Sequence, residues 1–386
     1  MAGGGAAGAA GELTAEQEAF RQVVASFADE VVAPAVDSYV AEGRFPVELV
    51  RRMGELGLFG LPFPEEVGGV GGDYLTFCLA IEEIGRVDQS LGITLEAGVG
   101  LGAAPIAEFG TEEQRQRYLP RLCRGEALAA FGLTEAGGGS DIMGATRTRA
   151  VRDGDDWVID GSKQFITNSG TELTELVTVT ALTGPAELTA IIVPVETPGF
   201  TVSPPYRKVG WHASDTRELT LQGVRVPVAN TLGSQGQGLR QFLKTLDDGR
   251  IAISALAVGL IQGCVDECVR YATEREAFGR PLAANQAIAF KIADMEVAAQ
   301  TARQMYRYAC RRKEAGLPYK REASIAKLYS SEAAVTAARE ATQIFGGMGF
   351  TTETRVGRFY QDAKILEIGE GTSEVQRLLI GRDLGL

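Results

Sequence analysis

Histidine is almost missing from this chain of 386 residues; the only one is His212. A zinc site built on two or three histidines is excluded within one chain, and a Ser-His-Asp or Cys-His arrangement would have to use His212. Acid–base chemistry falls instead to carboxylates or to a cofactor. Basic charge is also short, with 38 Lys and Arg against 50 Asp and Glu and a net charge of −12. That balance repels phosphate backbones and anionic membrane surfaces, so neither nucleic acid nor a membrane is expected as a partner. The five cysteines (Cys78, Cys123, Cys264, Cys268, Cys310) contain no C-x-x-C pair. Cys264 and Cys268 are four apart on a predicted helix face and read as small buried thiols, so no metal site is expected and a reducing cytoplasm is. The apolar run Ile251 to Ile261 is too short to span a bilayer, and the lack of a basic residue before Arg21 predicts no signal or transit segment.

What is present is an ordinary globular composition, 45% hydrophobic and 23% charged, at a length that favours two or three packed domains. Glycine is in surplus at 48 residues. Residues 1–11, nearly all Gly and Ala, read as a flexible tail. Thr14 and Gln17 then form a capping box ahead of apolar residues at Phe20, Val23, Val24, Phe27 and Val31. Helical periodicity returns over Val47 to Leu58, Tyr74 to Arg86 and Glu112 to Arg124, which predicts an N-terminal helical domain over 12–128.

Texture changes after that point. Val151 to Ile159, Lys163 to Thr167, Leu176 to Leu182, Leu188 to Val193 and Arg217 to Val224 are β-branched runs separated by Asp-Gly, Asn-Ser-Gly, Thr-Gly-Pro and Pro-Gly turns. No helix is expected between them, so the 129–235 domain reads as a β-barrel or sandwich rather than a doubly wound sheet. Helical patterning resumes over Gln241 to Arg275, Asn285 to Ala315, Lys320 to Phe345, Val356 to Lys364 and Ser373 to Gly381, giving a C-terminal helical domain over 236–386. The fold class is α+β and multidomain, in the order α, β, α.

The segment from Gly132 to Gly144 (GLTEAGGGSDIMG) sets a run of three glycines, Gly137 to Gly139, with two hydroxyls and two carboxylates at the opening of the β region. Glycines let a backbone approach a ligand closely and present N–H groups to it, and Thr134 and Ser140 add hydroxyl donors. The strand-G-x-G-x-x-G-helix context of a nicotinamide site is missing. The segment resembles the first signature of the acyl-CoA dehydrogenase family. A second family signature is met by Gln343 to Phe350 (QIFGGMGF), followed by Glu353, Arg358 and Asp362.

The resemblance covers essentially the whole chain after the tail and implies bound FAD, with a four-helix bundle as the C-terminal domain. It implies that Phe131, Leu133, Thr134, Gly139 and Ser140 line the isoalloxazine ring. Phe165, Ile166 and Thr167 match a Trp-Ile-Thr segment whose ring covers one flavin face, with Phe165 in place of the tryptophan. Arg275 matches an arginine on the FAD pyrophosphate, a role suited to a planar guanidinium fork. Phe278, Gln286, Gln343, Gly346, Gly347, Thr372 and Glu374 fall on further FAD-contacting positions. Because Arg275 and the Gln343 to Gly347 loop reach a neighbouring subunit's flavin in the family, a homotetramer built as a dimer of dimers is implied.

The resemblance places the catalytic base at Glu370, in Ile368 to Glu374 (IGEGTSE). Some relatives carry the base in Leu-Asp-x-x-Arg, which here is Leu246 to Arg250 with Gly249 at the alternative position. Ser140, Asp247, Arg250, Gly369 and Gly371 match positions around the thioester and its pantetheine arm. Straight-chain relatives usually have Tyr where Gly369 stands, which implies a substrate branched near C2 or C3. His212 reads as a packing or hydrogen-bonding residue. The implied activity is α,β-dehydrogenation of an acyl-CoA, with an electron-transfer flavoprotein as acceptor. A flavin oxidase or monooxygenase of the same fold, a dehydrogenase of carrier-protein-bound acyl groups and a non-catalytic thioester-binding protein remain open alternatives.

Overall fold

The computed structural model describes residues 12–386, so the tail expected over 1–11 lies outside the described residues. Helix α1 (Ala15–Phe27) opens on the predicted box, Thr14 and Gln17 exchanging backbone-to-side-chain hydrogen bonds of 3.1 Å. It continues through a π-helical stretch (Ala28–Val32) into α2 (Ala33–Glu42), which was not expected from the sequence. Helices α3 (Val47–Glu55) and α4 (Tyr74–Val87) follow. A larger departure is next: α5 (Gln89–Glu96), a π-helical stretch (Ala97–Ala103) and α6 (Ala104–Phe109) run on where no helix was read. Almost every residue of α5 and the π-helical stretch is buried, so there is no polar face to generate a period, and Gly98, Gly100 and Gly102 imitate a loop. Helix α7 (Glu112–Cys123) closes the region.

The β region is one curled seven-stranded sheet. Its strands are β1 (Leu128–Gly132), β2 (Arg149–Asp153), β3 (Asp156–Thr167), β4 (Thr174–Gly184), β5 (Glu187–Pro194), β6 (Phe200–Val202) and β7 (Thr216–Pro227). Strand β4 pairs with β5, and also with β1 at its start and β2 at its end, both parallel to it. Two expectations change here. The run Val151 to Ile159 breaks into β2 and β3 at Gly154, whose φ of +64° suits a tight turn, while β3 absorbs Lys163 to Thr167 into one long strand. A short helix, α8 (Ile142–Ala145), capped by Asp141, lies between β1 and β2, ahead of the predicted runs.

The C-terminal region contains α9 (Gly238–Glu274), α10 (Gln286–Glu314), α11 (Lys320–Phe345), α12 (Arg355–Leu366) and α13 (Ser373–Asp383). Helix α9 packs against α4, α10 and α11, and α11 carries α12 and α13. Its middle, Ile251 to Ile261, is buried all round. At Gly259 a Cβ would stand 2.4 Å from the Glu82 carbonyl, so glycine sets how closely α4 approaches. The N- and C-terminal helices share one hydrophobic core, and the sheet has its own around Trp157, Ile159, Val177, Val179 and Leu219. Among the described residues, two helical stretches, Gln89–Phe109 and Gly238–Glu274, are long and apolar enough to cross a membrane, but 83% of each apolar window is buried inside the protein.

Candidate active site

The turn between α12 and α13 carries Glu370 at φ +55° and Gly371 at φ +90°. A glutamate in the left-handed region is strained by about 1–3 kcal/mol, and the surroundings must hold it there. They do so from two sides. Lys327, fully buried on α11, donates to the Gly371 carbonyl at 2.7 Å, and Gln376 Nε2 donates to the Gly371 and Glu370 carbonyls at 2.9 and 3.2 Å. Thr372 accepts the Val375 N–H and caps α13, so its hydroxyl is already engaged. Glu374 is exposed in the first turn of the same helix.

The Glu370 carboxyl points into the protein, where Oε2 is buried without a hydrogen-bond partner. Burial pushes its pKa up to about 7, opposed by the cations of Arg250 and Lys327. A Cβ at Gly249 would stand 2.6 Å from Glu370 Oε2, so the absence of a side chain there makes room for the carboxylate. Arg250, 3% exposed, pairs with Asp247 on the same helix, and burial raises the Asp247 pKa. Gly369 needs no special backbone, and a Cβ there would meet nothing closer than the Ile365 carbonyl at 3.5 Å. A side chain is therefore sterically admissible at 369, and glycine leaves that space open.

The glycine-rich segment and the Phe165 segment are brought together at the edge of the sheet. Register between β3 and β7 shifts between Lys163 and Ile166, and the Gln164 N–H bonds instead to the Thr134 carbonyl at 2.8 Å. Such a bulge redirects a side chain. Phe165, at φ +61°, turns outward beside Tyr206, with ring centroids 5.1 Å apart. Ile166 faces the sheet core, and Thr167 is half-buried. Underneath, buried Lys163 binds Glu135 at 2.7 Å and the Leu133 carbonyl at 3.3 Å, and Glu135 in turn accepts the Arg147 and Thr148 N–H groups. Gly139 and Ser140 are exposed on this loop. Two contacts join the loop region to the helices that border Glu370: Phe131 lies 5.1 Å from Phe242 on α9, and Asn168 Nδ2 donates to the Thr94 carbonyl on α5 at 3.0 Å.

The remaining predicted residues gather elsewhere. Arg275 ends α9, 26 residues beyond Gly249, which at the helical rise is about 39 Å away. There a small hairpin, β8 (Glu276–Ala277) and β9 (Arg280–Pro281), presents Phe278 fully exposed at φ +53°. Tyr271 stacks on Phe345 at 4.1 Å and so sets the hairpin beside the end of α11, where Gln343, Gly346 and Gly347 are exposed. Gln286 is exposed at the start of α10. The structure thus forms two clusters, one at Glu370 and one at Arg275.

Three residues at the Glu370 cluster escaped the sequence reading: Glu96, Lys327 and Gln376. Glu96 is the only charge between Asp88 and Glu108, and Lys327 lies on an alanine-lined buried face with Ala323, Ala326 and Ala334. A lone charge in a small apolar run was the available signal. His212 is half-buried beside Trp211, whose N–H donates to Asp362 at 2.5 Å.

A strained turn and a buried carboxyl raised toward neutrality suit proton abstraction. Comparison with known proteins agrees with that chemistry. The N-terminal, middle and C-terminal domain descriptions of acyl-CoA dehydrogenase match residues 14–126, 130–224 and 236–385. A protein of Bacillus subtilis named probable acyl-CoA dehydrogenase YngJ is 48% identical over 97% of this chain and 99% of its own length. The solved butyryl-CoA dehydrogenase of Megasphaera elsdenii superposes with a TM-score of 0.94 at 39% identity, covering 97% of this chain and 99% of that one. A chain from work on the electron transferring flavoprotein of Acidaminococcus fermentans gives the same TM-score at 40% identity, covering 97% and 98%. With all three domain matches in order over nearly its full length, the chain belongs to the acyl-CoA dehydrogenase family.

Proposed function

We propose that the protein dehydrogenates a short acyl-CoA at Cα–Cβ to the trans-2-enoyl thioester, with Glu370 taking the α-proton. The observation that carries this is the Glu370 carboxyl, one oxygen buried and unpartnered, with its pKa raised to about 7. A base poised near the working pH is the one best matched to a weak carbon acid. The Glu370 N–H has no acceptor among the described residues and is placed to donate to the thioester oxygen, where enolate charge develops. Lys327 and Gln376 hold that N–H and the carboxyl in one geometry.

FAD fits the sheet edge, since exposed Phe165 at a strained φ, Thr134 and the Gly137 to Gly139 backbone form a rim joined by the Gln164–Thr134 bond. When bound, FAD supplies the hydride acceptor for the β-hydrogen. Arg275 would hold its pyrophosphate. With Arg275 about 39 Å along α9 from Gly249, a second copy supplies that contact, which supports the tetramer. An electron-transfer flavoprotein is the proposed acceptor, with support from the Acidaminococcus likeness. A cytoplasmic location goes with this reading and rests on the bacterial relatives.

Substrate length and branching follow from two supports. The Megasphaera enzyme is named for butyryl-CoA, and the open space at Gly369 admits a branch near C2 or C3. The test is anaerobic mixing of the flavoenzyme with butyryl-, isobutyryl-, 2-methylbutyryl-, octanoyl- and glutaryl-CoA while the flavin absorbance is followed. Bleaching by the C4 and C5 substrates supports the reading; no bleaching by any of them overturns it. Gly369→Tyr is expected to lose the branched substrates selectively, and equal loss on butyryl-CoA removes the branching claim. Oxygen uptake matching substrate oxidation in air would favour an oxidase.

A further inference from the structure

Glu96 sits at the end of α5 with none of its surface exposed, and neither carboxyl oxygen meets a donor among the described residues. An unpartnered buried carboxyl is among the costliest groups a core can hold, and native interiors rarely keep one without a use. Its surroundings locate that use. Glu96 Oε1 lies 3.6 Å from the position a Cβ would take on Gly249, and Glu370 Oε2 lies 2.6 Å from the same position. The two carboxyls therefore converge on the same point of α9, at Gly249.

Local backbone reinforces the placement. The π-helical stretch Ala97–Ala103 begins at the next residue, and a Cβ on Gly100 would stand 3.1 Å from Glu96 Oε1, so glycine there keeps the carboxyl clear of its own helix. Single π-type turns inside helices concentrate at functional sites. No cation offsets the burial: the Glu96 carboxyl is raised well above the ordinary range by desolvation first and by Glu370 second. Burial without a cation favours the protonated carboxyl, a form that both donates and accepts a hydrogen bond. The Arg250 guanidinium is directed to Asp247 instead.

We propose that Glu96 is a specificity residue that hydrogen-bonds a hydroxyl or amine carried by the acyl chain one or two carbons past the reacting pair. The inference rests on the dehydrogenase reading and names its substrate class as acyl-CoA thioesters with a hydrogen-bond donor on the chain. A site whose buried polar group is left unpaired by an apolar analogue discriminates against that analogue. An alkyl chain of the same length would bury the Glu96 carboxyl still unpaired.

The test uses the FAD-loaded enzyme and compares kcat/KM for 4-hydroxybutyryl-CoA, 4-aminobutyryl-CoA and pentanoyl-CoA, with butyryl-CoA as reference. The wild type is expected to favour one of the donor-bearing substrates over pentanoyl-CoA by about 10- to 100-fold, the range of one buried hydrogen bond. Preference for the hydroxyl or for the ammonium form supports the proposal and assigns the donor. Glu96→Leu is expected to invert the ratio, and Glu96→Gln to keep most of it. A wild-type ratio of one or below overturns the proposal without any variant, which covers the case where Glu96→Leu does not fold. A ratio unchanged in Glu96→Leu also overturns it. Flavin bleaching by butyryl-CoA with no donor preference removes this inference and leaves the dehydrogenase reading standing; no bleaching by any of the four removes both.

Discussion

The two ends of α9 are built on opposite principles. Around Gly249 the chain encloses itself: Glu370, Glu96, Arg250 and Lys327 are packed against α5, α11 and the α12–α13 turn, and the strained Glu370–Gly371 backbone is held by Lys327 and Gln376. Around Arg275 the chain opens outward. Phe278 is fully exposed, Phe350 94% exposed, and a Cβ at Gly346 or Gly347 would meet nothing within 4 Å. Soluble surfaces rarely concentrate aromatic and backbone exposure this way without a partner. The difference teaches that a single chain buries Glu370 Oε2 by itself, while the Arg275 end leaves aromatic side chains and glycine backbone open to solvent, which is where the proposed contact with a second copy would form.

The largest expected effect falls on the enclosed end. Glu370→Gln should cut the rate of flavin reduction by about 10³- to 10⁴-fold, the range of a lost general base, while FAD stays bound. Stopped-flow bleaching and the flavin-to-protein absorbance ratio measure both. Gly249→Ala comes next, because its methyl would stand 2.6 Å from Glu370 Oε2 and displace the carboxyl. A loss of about 100-fold in kcat is expected from a misplacement of that order, again with FAD kept. Full activity in this variant would show that the carboxylate has room the packing denies.

Arg275→Ala tests the open end. It should weaken FAD retention by about 10- to 100-fold, one charge-assisted contact, and leave the thermal stability of the apoprotein near that of the parent. FAD bound as tightly as in the parent would break the comparison between the two ends. The smallest effect concerns the frame both ends share. Burial raises Asp362 on α12 to about 7, above its ordinary carboxylate value. A carboxyl raised in this way contributes stability present below the unfolded pKa and lost as pH rises through the folded one. Asp362→Asn should flatten the decline in unfolding free energy between about pH 4 and pH 7, read from denaturant titrations at each pH, with the residual slope owed to the other raised carboxyls, Glu370 and Glu96 among them.

Helices with a wet face were legible in the sequence. Helices α1, α7 and α10 to α13 announced themselves through caps and a 3.6 period, since each presents solvent on one side. The stretch Gln89–Phe109 did not, because a helix buried on every side has no contrast to display. Glu96 was hidden with it. At the candidate site, the glycine-rich segment was named through a family signature and Glu370 through the resemblance that it supports, whereas Lys327 and Gln376 act through backbone carbonyls in a turn more than 40 residues and a few residues away, and no local pattern encodes such bonds.

Composition and pattern alone determined the α, β, α order and, in a chain with one histidine, the turn to carboxylates or a cofactor for acid–base chemistry. These are properties of residue type and local period, which a linear chain carries without folding. Tertiary structure decided that Glu370 is desolvated, that Glu96 shares its space across Gly249, and that Arg275 lies too far along α9 to reach the same site. Desolvation and proximity arise only when distant segments are packed together, because a carboxyl's pKa and partners depend on what surrounds it in space.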